Sequence, residues 1–170
     1  MDRKQNSFRL VALILLILIV IPVKAASQSI PGAYKEYTQL EIGDILFDTP
    51  KAPKQKLLNS KIFLKGKVLI SPLLKKDEVV IYRMVITCCA ADALPLGILA
   101  KLPEKMELYN EEWFGVEGTI QLRPYNESIK AIEPLANMVP PEKVFPYFMA
   151  AKAYKVNTPK DEYIYVQYNY

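Results

Sequence analysis

Residues 113–122, WFGVEGTIQL, place Phe114, Val116, Gly118 and Ile120 on one side of the chain and Gly115, Glu117, Thr119 and Gln121 on the other. A repeat of two is the signature of a β-strand with one apolar face, because successive side chains in a strand point to opposite faces of the sheet. A strand of this kind needs partners, and the sequence supplies four more candidates. Residues 62–70 (IFLKGKVLI) alternate around Gly66, and a glycine inside a strand marks a bulge or a bend where the sheet coils. Residues 79–86 (VVIYRMVI) are rich in β-branched side chains, and residues 97–102 and 148–156 complete the set. Turns are placed by Pro72 with Lys75-Lys76-Asp77, and a longer loop runs through Pro124, Pro134 and Pro140-Pro141.

Five short strands with a glycine-bent first strand predict a mainly β fold. The expected architecture is a small five-stranded barrel of the oligonucleotide/oligosaccharide-binding (OB) kind preceded by an N-terminal hydrophobic helix. A β-sandwich is the competing architecture.

The N-terminal 25 residues have the layout of an export signal. Residues 1–9 are polar and positive, residues 10–23 carry no charge, and Val23-Lys24-Ala25 offers small residues where a signal peptidase cuts. Fourteen helical residues rise only about 21 Å against a hydrocarbon core of about 30 Å, which favours a cleaved signal over a membrane anchor. Three segments follow from this reading: a signal peptide or anchor at 1–25, an extended lead-in at 26–56, and an OB-like domain with an aromatic tail at 57–170. Within the lead-in, the cluster Leu40, Ile42, Ile45, Leu46 and Phe47 is expected to fold onto the domain as a short strand or a turn of helix. The protein is expected to be exported, either periplasmic or held at the outer face of the cytoplasmic membrane. The net charge of +4 comes largely from the leader; without Arg3, Lys4, Arg9, Lys24 and Asp2 the chain has 18 basic and 17 acidic residues. So weak a field argues against nucleic acid as a partner.

Chemistry, if the chain has any, concentrates in residues 82–97, YRMVITCCAADALPLG, which hold both cysteines, Cys88 and Cys89, with Asp92 close behind. The chain has no histidine, which removes Ser-His-Asp and Cys-His catalysis and every His-ligated zinc site. Adjacent Cα atoms lie about 3.8 Å apart, below the roughly 4.4 Å a relaxed disulfide requires. Three readings of the pair stay open. The thiols are small buried residues at a tight strand end, with Asp92 capping the turn. Alternatively, a turn brings both thiolates and Asp92 to one side as a zinc or copper site completed by water, a partner, Glu111 or Glu112. The third is a strained vicinal or an intermolecular disulfide, which would be redox-responsive.

The succession LKGKV, YRMVITCCAADALPLGILAK, EEWFGVEGTIQL and KVNTPKDEYIY resembles the C-terminal, extracytoplasmic domain of a bacterial two-component family catalogued as permease subunits. The resemblance covers residues 57–165, with CCAADA and the preceding Arg83 its most specific part. It implies an OB-like fold of unknown function, a place in the cell envelope, a multi-spanning membrane permease as partner, and a link to metal handling.

The remaining candidates are single residues. Arg83, a lone charge in an apolar strand, would bind an anionic ligand or pair with Asp92 or Asp77, the pairing being favoured. Trp113 with Glu111-Glu112 is either a sugar-stacking platform or packing at the barrel rim. Tyr163, Tyr165, Tyr168 and Tyr170 form an aromatic tail expected to dock on the barrel itself. Two functions follow: a non-enzymatic accessory or binding module beside a permease, or a thiol-dependent redox protein using the vicinal cysteines.

Overall fold

The computed structural model describes residues 36–47, 54–86, 90–103, 106–136 and 144–165. The expected leader helix over 1–25 lies outside them, and among the described residues no helix is long and apolar enough to cross a membrane. The chain enters through β1 (Thr38–Gln39), α1 (Ile42–Leu46) and α2 (Lys54–Leu57), then runs through β2 (Ile62–Leu69) and β3 (Glu78–Ile86). A 3-10 turn (Ala90–Asp92) leads to β4 (Leu94–Lys101), followed by β5 (Trp113–Pro124). A second 3-10 turn (Glu127–Ala131) and α3 (Glu133–Ala136) precede β6 (Val144–Lys155) and β7 (Tyr163–Tyr165).

Gly66 explains how these strands close. β2 pairs antiparallel with β5 from Ile62 to Lys67, then with β3 from Lys67 to Leu69. At the crossing, a Cβ on Gly66 would lie 2.7 Å from both the Ile81 side chain and the Tyr82 carbonyl oxygen. Only a residue without a side chain lets the two strands pass this closely. The ring runs β2-β5-β6-β4-β3 and returns to β2, with a parallel β4–β6 pair and every other pair antiparallel. This is the five-stranded closed barrel of OB type, not two stacked sheets. β1 and β7 lie outside the ring, parallel to β2 and β3 respectively.

Alternation fills the interior. Ile62, Leu64 and Val68 of β2, Val79, Ile81 and Val85 of β3, Leu96, Ile98 and Ala100 of β4, and Phe114, Val116 and Ile120 of β5 share one core with Phe148 of β6. The lead-in cluster folds onto the barrel as expected: α1 adds Ile42 and Ile45 to the same core. Its first turn is closed by a capping box in which Asp44 accepts from the Glu41 backbone N–H at 2.9 Å.

β4 and β6 start earlier than the sequence suggests, at Leu94 and Val144, because Pro95 and Pro146, the second and third residues of these strands, read as strand breakers. β6 also hides its period. Glu117 pairs with Lys152 and Gly118 with Ala150, which leaves Ala151 as an extra, unpaired residue. That bulge shifts the core-facing positions of β6 from Phe148 and Ala150 to Ala153.

A second apolar cluster lies on the outer face of β3 and β4. Val80, Tyr82 and Leu99 pack with Phe145 and Tyr147 of β6 beneath Ile129, Ile132 and Leu135. Gly97 provides room for this cover, since a Cβ there would lie 2.9 Å from that of Pro134. Two tyrosines of the cluster donate their hydroxyls to carboxylates: Tyr147 to Glu78 at 2.7 Å and Tyr82 to Glu111. Burial, and then these acceptors, push both phenols well above the usual tyrosine value of 10.0. Above about pH 10 the unfolded chain releases these protons while the fold retains them, so stability falls as pH rises through that range. Urea unfolding between pH 9 and pH 11 should show this loss, and Tyr82→Phe with Tyr147→Phe should flatten it.

Candidate functional site

The hairpin between β3 and β4 carries the cysteine motif. Val85 pairs with Leu94, so the chain reverses over the eight residues between them, and Asp92 ends the 3-10 turn there with its side chain exposed. Of the expected metal set Cys88, Cys89 and Asp92, the two cysteines lie outside the described residues, and Asp92 alone is described. Among the described residues no three acidic or sulfur ligands gather as a metal site.

The two glutamates considered as additional ligands are held elsewhere. Glu111, in a left-handed conformation with φ 70°, is fixed by its N–H to the Val68 carbonyl at 2.9 Å. Its carboxylate takes the Tyr82 hydroxyl and lies 3.4 Å from Lys67 Nζ, while Glu112 pairs with Lys155. Tyr82 is four residues short of Ile86, about 13 Å along a strand. Glu111 therefore meets β3 at Tyr82, four residues before the end of that strand.

Arg83 is organised differently from the expectation. Asp77 is engaged by Lys101 at 3.3 Å, and Arg83 reaches instead to both ends of the folded chain. Its Nη1 donates to Glu41 Oε2 at 3.1 Å, its Nη2 to the Asp161 carbonyl at 2.6 Å, and its Nε to the Glu162 carbonyl at 3.3 Å. The guanidinium also lies 5.0 Å from the centre of the Trp113 ring, which is buried with Lys67 Nζ 6.0 Å away. Burial lowers the pKa of Arg83, against the opposing charges of Glu41, Asp161 and Glu162. Only 4 % of Arg83 is exposed, so it acts as a buried clamp between the segment after β1 and the segment before β7.

A cleft of about 280 Å³ opens where those segments meet, lined by Gln39, Glu41, Lys65, Arg83, Lys160 and Asp161 with Pro159, Tyr163 and Ile164. β7 pairs with β3, but not through the aromatic face expected of the tail: Ile164 turns toward the core, Tyr163 and Tyr165 are exposed, and Tyr168 and Tyr170 lie outside the described residues. Sequence reasoning singled out Arg83 but missed Glu41, Asp161, Glu162 and Lys65. Glu41 is 42 positions from Arg83, and only the apolar cluster around it signalled that the segment returns to the barrel.

A family model for the DUF1980 C-terminal domain matches residues 46–166. No curated protein matches the chain. Among solved structures the chain is similar to a crystal structure assigned as an aspartyl-tRNA synthetase from Leishmania major Friedlin, at 10 % identity and a TM-score of 0.41. The match covers 74 % of this chain and 22 % of that one.

Proposed function

The chain belongs to the DUF1980 C-terminal domain family, a domain of unknown function, and on that premise we propose that it is a non-enzymatic binding module of the cell envelope. In this reading the protein is exported through its N-terminal segment and works at the outer face of the cytoplasmic membrane, where it hands a ligand to a membrane permease. The ligand is a thiophilic metal ion, zinc or copper, held by Cys88 and Cys89 with Asp92 as the oxygen donor. Two thiolates and a carboxylate leave one position of a tetrahedral site open, which suits delivery better than permanent storage.

The observation that carries the reading is Asp92, exposed at the reversal between β3 and β4 and three residues after Cys89 in a chain without histidine. Exposed cysteines outside the cytosol are readily oxidised, and metal binding is one means of protecting them. Metal content and thiol titration of the purified protein provide the test. About one zinc or copper per chain is expected, abolished in Cys88→Ser/Cys89→Ser and weakened in Asp92→Asn. A reversibly reducible bond without metal would instead favour the thiol-redox function, and inert thiols without metal would remove both.

A further inference from the structure

We propose that the cleft between β1 and β7 is a binding site for one small oxyanion, a phosphate group, held by Lys65 and Lys160 above the buried Arg83. Three basic side chains line this cleft. Arg83 is held in place by Glu41 and the carbonyls of Asp161 and Glu162, so it supplies a fixed positive charge without needing to move. Lys65 projects from the middle of β2, is only half exposed, and forms no ion pair among the described residues. Lys160 is exposed and likewise has no carboxylate partner there. A half-buried lysine is ordinarily paired; Lys65 is not, and with the exposed Lys160 it places two cations without ion pairs among the described residues beside a guanidinium already paired with Glu41.

Size and charge narrow the ligand. A volume of about 280 Å³ lies just below the usual range for drug-sized ligands and suits a small group. Glu41 is engaged by Arg83, but the exposed Asp161 carboxylate also lines the cleft and would repel a polyanion. One phosphate group fits these limits, and the side-chain amide of Gln39 adds a further donor. The group can arrive as a free phosphate or as the headgroup of an anionic phospholipid.

Titration of the full chain with inorganic phosphate, and co-sedimentation with phosphatidylglycerol vesicles, separate the two sources. Saturable phosphate binding that weakens about tenfold or more in Lys65→Gln supports a free ligand. Vesicle binding that weakens equally in Lys65→Gln, without binding of free phosphate, supports the headgroup. If Lys65→Gln fails to fold, the exposed Lys160→Gln carries the same comparison. Lys130→Gln, in the second 3-10 turn, is the control and leaves binding unchanged. No saturable binding of either probe, or an equal loss in the control, overturns the proposal.

Discussion

Gly118→Ala is expected to destabilise the barrel by at least about 3 kcal/mol, or to prevent its folding, although it adds a single methyl group. A Cβ on Gly118 would lie 2.0 Å from the Met149 carbonyl oxygen and 2.8 Å from its carbonyl carbon. The obstruction is backbone, so no rotamer change relieves it. Nor can the strand swing away, since β5 and β6 are paired on both sides of the bulge, from Phe114 with Lys155 to Pro124 with Val144. Thr119→Ala, one residue along, should change stability by about 0.5 kcal/mol or less, as a partly exposed substitution of this kind does. Denaturant unfolding of the two variants makes the comparison. An unchanged midpoint for Gly118→Ala would mean that the strands do not approach this closely.

Arg83→Leu is the second large effect, with an expected loss of about 2–3 kcal/mol. Breaking a fully buried ion pair costs about 3–5 kcal/mol, but Glu41 is 36 % exposed and can rehydrate once it is released. The Asp161 and Glu162 carbonyls lose their donors, and Trp113 loses the cation over its ring. Arg83→Lys should recover little, because one ammonium cannot reproduce a planar group that reaches three acceptors and stacks on an indole. Hydrogen exchange locates the damage. The amides of Thr38 and Leu40, bonded to Lys61 and Phe63, and those of β7 should exchange faster than amides of the β5–β6 ladder. Uniform acceleration across the barrel would show that Arg83 supports the core in general and not its two outer strands.

The barrel was legible where one face of a strand is apolar and the other is not. β5 shows its period directly, and Gly66 signalled that its strand bends. β6 did not show a period, because the extra residue Ala151 reverses the alternation partway along. The outer cover was illegible for another reason: Ile129, Ile132 and Leu135 read as loop residues until the outer face of β3 and β4 is there to receive them. In OB barrels that face is the usual place for a ligand, and here the segment between β5 and β6 occupies it. Arg83 stood out as a charge in an apolar strand, yet the partners nearest in sequence, Asp77 and Asp92, were the wrong guide. Sheet topology brings Glu41 and the segment before Tyr163 to it instead, at separations of 42 and 78–79 positions.

The arrangement of Arg83 also determines how the domain would respond to mechanical load. A pull applied between β1 and β7 reaches one guanidinium early, since its bonds join residues that follow β1 and precede β7 by no more than two positions. Tension of that kind would strip the two flanking strands one hydrogen bond at a time, and the closed ring would bear force only after the clamp had ruptured.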